Sequence, residues 1–241
     1  MTKLDLLAFG AHPDDVEIGM GATLAKHVTN GHKVGICDLT KAELSSNGTV
    51  ELRQREAERA ATILGVAARI QLSLPDRGLK NASSKQIAEI TAVIREYKPE
   101  VVFAPFPVDR HPDHGACAKL IEEAVFNAGI KRYECAKQLP AFRPKQLYYY
   151  FINGYEHPDV TVNVSGFMDK KKEALLAYES QFVKSVDSVD TPLTNDYIDV
   201  VFARERLFGK EVGVQYAEGF MTSSPIVVSD FLAGKEQYNE T

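Results

Sequence analysis

The feature that most constrains this chain is the alternation in its first half. Short apolar runs, each closed by a turn residue, take turns with longer segments of helical periodicity. LDLLAFG (4–10) reads as a buried strand. A helix over 16–29 follows, with Val16, Met20, Leu24, His27 and Val28 near helical spacing and Asn30-Gly31 as its stop. VGICDLT (34–40) is a second strand. The polar loop KAELSSNG leads to a helix over 50–64 closed by Gly65. RIQLSL (69–74) is a third strand, PDRG a turn, and 84–97 a helix. PEVVFAPF (99–106) is a fourth strand, and a helix over 114–128 ends at Gly129. Such repetition calls for βαβ units, a parallel sheet and right-handed crossovers.

The second half is less regular. KQLYYYFIN and VTVNVS read as strands. Residues 166–180 read as a helix with Lys170, Lys171 and Lys172 on its outer face, and 194–208 as a further helix. The polar end GKEQYNET (234–241) reads as frayed. The expectation is one domain over 1–241. Its class is α/β, a Rossmann-like, mainly parallel sheet with helices on both faces and a C-terminal elaboration.

Composition narrows the partners. Hydrophobic residues make up 44% and charged residues 25% of 241, ordinary for a globular chain that buries its own core. The net charge of -5, with no basic run, points away from nucleic acid and anionic membranes. Three cysteines, Cys37, Cys117 and Cys135, show no CxxC spacing. The first apolar run is too short for a signal peptide, and no stretch approaches the roughly 20 apolar residues of a membrane span. The expected setting is the cytoplasm.

In open parallel sheets, ligands bind outside the carboxyl ends of the strands. The first strand runs into Ala11-His12-Pro13-Asp14-Asp15, and the fourth into Pro107-Val108-Asp109-Arg110-His111-Pro112-Asp113-His114. Three of the six histidines fall in these two loops. Imidazole and carboxylate are zinc ligands, and a catalytic zinc keeps three protein ligands and one open position. His12 and Asp15 can converge from one loop and His114 from the other. Zinc there would lower the pKa of a bound water and polarise a carbonyl. Asp14 is adjacent but not needed as a ligand, which suits a general base. His111 is a candidate acid or oxyanion stabiliser, and Asp113 a carboxylate to hold His111 in its charged form.

AHPDDVEIGMGATL and VDRHPDHGA resemble the two hallmark loops of the LmbE-like, or PIG-L, deacetylase family, (A/S)HPDDE and HPDH. SSNGTVELRQREAERAATILG, LPDRGL and YAEGF extend the resemblance over most of the chain. One departure is Val16 before Glu17, where many relatives have Glu directly after the Asp pair; that form resembles the branch of bacillithiol-biosynthesis deacetylases. The resemblance implies a Rossmann-like fold and Zn2+ held by His12, Asp15 and His114. It implies Asp14 as base, His111 at the oxyanion and Asp113 tuning it. Arg53 would reach the sugar hydroxyls, and Arg143 and Tyr197 would line the site. It further implies a hexamer and an amino-sugar substrate. That substrate would be N-acetylglucosaminyl malate, or another N-acetylglucosamine compound, chitin-derived or inositol-linked. A malate group would need cations, for which Arg53, Arg110 and Arg143 are candidates, although Arg110 can also pair with Asp109.

Three other readings compete. A dinucleotide site meets only Gly19-Met20-Gly21, with Leu24 where the third Gly belongs. A non-haem iron oxygenase also uses two His and one carboxylate, but leaves Asp14 without a task. A sugar-binding protein without catalysis has no need of the full catalytic set.

Overall fold

The computed structural model describes residues 3–186 and 188–227; the polar end expected to fray lies outside them. Seven strands form one sheet in the order β3-β2-β1-β4-β5-β7-β6. They are β1 (Leu6–Gly10), β2 (Val34–Asp38), β3 (Ala68–Gln71), β4 (Val101–Pro105), β5 (Gln146–Tyr150), β6 (Val160–Asn163) and β7 (Ala217–Thr222). β1 to β5 run parallel, and β7 pairs antiparallel with both β5 and β6. The fold class expected from the sequence is the one found.

Alternate residues of β1 feed two cores. Leu7 and Phe9 pack against α3 (Ser84–Tyr97) and α4 (Pro112–Ala128) on one face. Leu6 and Ala8 pack against α1 (Asp15–Thr29), α2 (Val50–Leu64) and α5 (Met168–Leu176) on the other. A strand covered on both faces has no polar side to show, which is why LLAFG is apolar throughout. The helices begin and end where local chemistry dictates. The Thr49 side chain accepts from the Leu52 N–H at 3.2 Å, and Gly65 ends α2 at φ 75°. Ser83 and Gln86 form a capping box on α3.

The second half departs from the expectation in four places. The helix expected over 166–180 breaks into α5 and a single turn, α6 (Glu179–Phe182). At the break Tyr178 (φ -87°, ψ 60°) turns inward, is fully buried, and donates to Glu17 at 2.8 Å. The last helix, α7 (Tyr197–Glu211), starts after a 3₁₀ turn over Pro192–Thr194. β7 is hidden in the sequence because Gly219 and an inward-facing Glu218 interrupt its apolar pattern.

Lys171 is the largest correction. It is fully buried, not on an outer face, and its Nζ donates to Glu205 at 2.8 Å and Glu218 at 2.6 Å. The cause lies in α1, which kinks at Met20 (φ -151°). The Glu218 carboxylate accepts from the N–H groups of Ala22 and Thr23, at 3.1 and 2.6 Å, just past the kink. A buried carboxylate needs a cation, and Lys171 supplies it. The same stretch explains Gly19. A Cβ there would lie 2.0 Å from the Tyr150 ring, whose hydroxyl donates to the Phe9 carbonyl at 2.7 Å. The partial GxG is thus a helix–sheet packing device and lies off the strand–helix turn.

Between β1 and β4 the strand order reverses: β2 and β3 lie on one side of β1, and β4 and β5 on the other. The crevice beyond the carboxyl ends of these two strands is the expected ligand position. Both His/Asp loops open there.

Candidate active site

After β1 the chain turns so tightly at Gly10 that a Cβ would sit 3.1 Å from the His12 carbonyl oxygen. Asp15 closes the turn, its Oδ2 accepting from the His12 N–H at 2.9 Å. Asp14 is held in the left-handed region at φ 116°, a costly conformation for a residue with a side chain. It persists because Arg53 clamps it. Arg53 Nε and Nη2 donate to the Pro13 carbonyl at 2.8 and 2.5 Å, and Nη2 lies 2.7 Å from Asp14 Oδ2. The guanidinium also lies 5.6 Å over the Tyr178 ring. Arg53 therefore holds the first loop while also lining the cavity. Nη1 alone is left by these contacts.

The second loop ends in α4, with His111 as N-cap and Pro112 at the first position. His111 Nδ1 accepts from the Asp113 N–H at 3.3 Å, so the ring proton of the neutral imidazole sits on Nε2. Burial first, then His114 and His12, push its pKa down to about 4. The expected contact between the Asp113 carboxylate and His111 is not the one found. The Asp113 backbone holds the ring, and its carboxylate accepts from the Arg77 N–H at 2.6 Å and lies 3.7 Å from His12 Nε2.

His12, Asp15 and His114 are brought together as expected. His12 Nδ1 is 3.5 Å from Asp15 Oδ2, and His114 Nε2 is 3.2 Å from Asp15 Oδ1. All three are less than a tenth exposed. The ligating atoms of His12, His111 and His114 also lie within 4.8 Å of one another. The donor set suits a cation of the zinc type: imidazole and carboxylate groups, buried, with outer carboxylates behind the rings. Asp109 stands 3.0 Å from His114 Nδ1, and Asp76 stands 3.1 Å from His12 Nε2. Because His111 spends Nδ1 on the helix cap, Asp15 is the better third ligand.

The electrostatics show the same need for a cation. Burial pulls the His114 ring down, but Asp15 and Asp109 outweigh it and raise the pKa to about 9. His12 is likewise raised above its ordinary value, burial being outweighed by Asp113, Asp15 and Asp76. Asp15 goes well below the carboxylate range despite its burial, because His114 and His12 flank it. Asp14 moves the other way. Burial, with Asp15 and Glu17 nearby, lifts it to about 6 against the pull of Arg53 and His12.

These groups border a cavity of about 550 Å3 that Arg53, Arg110 and Tyr197 also line. The Tyr197 hydroxyl stands within hydrogen-bond distance of the Ile152 carbonyl and Asn153 Oδ1, each at 2.9 Å. Arg143 is not part of it. That side chain packs against Gly129, at the far end of α4 from His111, roughly 25 Å along a 17-residue helix. Arg110 does not pair with Asp109, whose oxygens are taken by His114, the His111 N–H and Asn153. Asp76, Asp109 and Asn153 escaped the sequence reading. Asp76 lies in the LPDRGL turn, recognised only as part of a string. Asp109 was seen only beside Arg110, and nothing local marks Asn153.

Comparison with known proteins agrees with this chemistry. The family GlcNAc-PI de-N-acetylase (PIG-L) matches residues 7–125, which include both loops. A diacetylchitobiose deacetylase of Thermococcus kodakarensis is 30% identical over 224 residues, covering 89% of this chain and 81% of that one. A probable N-acetyl-alpha-D-glucosaminyl L-malate deacetylase of Bacillus anthracis is 25% identical over 206 residues, covering 79% of this chain and 85% of that one. A conserved protein of Thermus thermophilus superposes with a TM-score of 0.86 at 36% identity, covering 95% of this chain and 98% of that one.

Proposed function

This chain belongs to the PIG-L family of hydrolytic N-deacetylases, and from that premise we propose that it uses zinc, held by His12, Asp15 and His114, to remove the acetyl group from an N-acetylglucosamine conjugate. The observation that carries this reading is the buried, acid-rich cluster between β1 and β4, with Asp14 standing beside the ligand set and free of it. When bound, zinc supplies Lewis acidity for the amide carbonyl and a lowered pKa for water.

The chain's own residues do the rest. Asp14, clamped by Arg53 and lifted to about 6, takes a proton from the attacking water and stays ionised at neutral pH. The Nε2–H of neutral His111 donates to the oxygen on which negative charge develops. Asp14 then passes its proton to the departing amine nitrogen, leaving acetate and a free amine. Asp109 and Asp76 fix the rings of His114 and His12. Tyr197 borders the sugar position through the wall it builds with Asn153.

The malate conjugate of bacillithiol biosynthesis is one substrate within this class. Of the three arginines expected to meet its carboxylates, Arg53 is engaged by Asp14 and Arg143 is remote, which leaves Arg110. The same reading includes assembly into a hexamer and residence in the cytoplasm; no helix among the described residues is long and apolar enough to cross a membrane. The test is acetate release from N-acetylglucosamine, diacetylchitobiose and N-acetylglucosaminyl malate, with zinc and after chelation. Zinc-dependent release from any of them supports the reaction, and their ranking identifies the conjugate. No release from zinc-loaded protein would overturn it.

A further inference from the structure

A chain of buried groups starts at Asp14 and leads away from the cavity. Glu17, one residue later than the Glu of the hallmark loop, takes no part in the proposed reaction, yet it is fully buried on α1. Its Oε1 accepts from the Tyr178 hydroxyl at 2.8 Å and from Arg69 Nη1 at 2.5 Å. Arg69, on β3, donates through Nε to Asp38 Oδ2, at the end of β2, at 2.9 Å. Its Nη1 also reaches the Ala57 carbonyl at 3.2 Å, one turn of α2 beyond Arg53. Asp38 and Tyr178 are as fully buried as Glu17. None of these four residues borders the catalytic cavity.

Tyr178 joins this chain to the base. Its hydroxyl is fixed on Glu17, and Arg53 Cζ lies over its ring, 5.6 Å from the centroid. Arg53 turns Nε and Nη2 on one oxygen, the Pro13 carbonyl, and sets Nη2 2.7 Å from Asp14 Oδ2. Two bonds to a single oxygen fix the reach of the fork but let its plane pivot about that oxygen. An aromatic face under the guanidinium removes this freedom, because the cation is attracted to the ring face. The ring in turn keeps its orientation because a buried hydroxyl needs its partner, and Glu17 is that partner.

Resting on the deacetylase reading above, we infer that Tyr178 is a positioning residue for the general base: its ring, anchored through Glu17, Arg69 and Asp38, holds Arg53 in the plane from which Nη2 grips Asp14. Asp14 sits at φ 116°, and without that grip its backbone relaxes and carries the carboxylate off the attacking water. A side chain that only filled the core would act on stability alone. Tyr178 acts on the rate, through two intermediates and without touching a metal ligand.

The experiment compares wild type with Tyr178→Phe, which keeps the ring, and Tyr178→Leu, which does not. All are zinc-loaded, and acetate release is followed from diacetylchitobiose and from N-acetylglucosaminyl malate. In the leucine variant kcat per folded, zinc-loaded molecule should fall roughly tenfold, as loss of a desolvated cation–π contact allows. Its zinc content should equal that of wild type. The phenylalanine variant should keep kcat within about threefold of wild type, because the ring face remains. Equal kcat in the two variants, whether kept or lost, would overturn the assignment, and so would loss of zinc from the leucine variant. Should that variant not fold, Tyr178→Met fills the space with a flexible chain and carries the same expectation. A second readout does not depend on turnover. The Arg53 Nε–H, buried and bonded to Pro13, should give a slowly exchanging nitrogen–proton resonance, assigned by its absence from Arg53→Lys. It should persist in the phenylalanine variant and broaden in the leucine variant. If no acetylated sugar is hydrolysed, the deacetylase reading fails, while this resonance still reports whether Tyr178 holds Arg53. A resonance unchanged in the leucine variant would overturn the positioning role whatever the turnover.

Discussion

Two buried clusters of charge lie on either side of α1, and they are composed differently. Behind the helix, Lys171 and Arg204 face Glu205 and Glu218, two cations against two carboxylates. In front of it, Asp14, Asp15, Asp76, Asp109 and Asp113 gather around one guanidinium, Arg53, and three imidazoles. The first cluster matches its own charge and repairs a helix kink. The second does not: its carboxylates outnumber Arg53 and the two rings that take up a proton, and this excess is why His12 and His114 are held above their ordinary pKa while His111 stays neutral. Burial alone does not distinguish a structural from a functional cluster. An excess of carboxylate at the mouth of the sheet does, because a bound cation then has something to balance.

Asp14→Asn breaks the comparison hardest if the roles are misassigned. Losing the base should lower kcat by on the order of 10²–10⁴ while the protein keeps its zinc, measured by acetate release and metal analysis of one preparation. In wild type the rate should fall as pH drops through about 6, where Asp14 takes up a proton and ceases to be a base. A variant with near-full turnover would remove Asp14 from the chemistry.

Lys171→Met probes the balanced cluster. It strands Glu218 without its cation and leaves Glu205 with Arg204 alone, and breaking a buried pair this way costs about 3–5 kcal/mol. Denaturant unfolding should show that loss, with kcat per folded molecule little changed. Unchanged stability would mean that the cluster does not hold the kink of α1.

The two clusters also differed in how far the sequence revealed them. The front cluster was legible because β1 and β4 each end in a contiguous string of His, Pro and Asp, and strand order alone brings their ends together. Helices α2 and α3 were legible to the residue, since Gly65 and Ser83 mark their limits locally. The rear cluster was not. Lys171 sits in a run of three lysines that reads as solvated, and only the kink at Met20, contacts to two distant glutamates and an unrecognised β7 make it internal. Asp76, Asp109 and Asn153 were missed for the same reason, because their roles depend on which rings other segments bring to them. Arg53 was placed at the site, but its hold on Asp14 was not foreseen. Its pairing with Asp14 crosses from α2 to the first loop, and no i,i+4 pattern reports it.

Metal binding should be proton-linked at the front cluster. His114, raised to about 9, must shed its proton to become a ligand. Apparent zinc affinity should therefore weaken as pH falls below 9, by about tenfold per pH unit for each proton displaced. The metal-free protein shows the reverse side of this linkage. The imidazolium of His114 stabilises the fold fully below the ordinary histidine value, and that stabilisation is lost as pH rises through about 9. Competition titrations with a chelator from about pH 6.5 to 9 measure the first effect, and thermal unfolding of chelated protein the second. Affinity flat across that range would place the ion away from His114.

The smallest expected effect lies where the front cluster meets its wall. Tyr197 bridges Asn153 and the Ile152 carbonyl, and Asn153 in turn donates twice to Asp109, which orients His114. Tyr197 is thus connected to the ligand set through two intermediates and touches none of the reacting atoms through its hydroxyl. Tyr197→Phe keeps the ring that borders the sugar and removes only that hydroxyl, a loss of about 1 kcal/mol. KM should rise by no more than a few-fold as the wall loosens, with zinc affinity unchanged, because Asp109 keeps its own hold on His114. If zinc affinity fell as KM rose, the hydroxyl would be acting through Asn153 on the ligand itself. The cluster would then extend to α7, and its contrast with the self-contained cluster behind α1 would be sharper still.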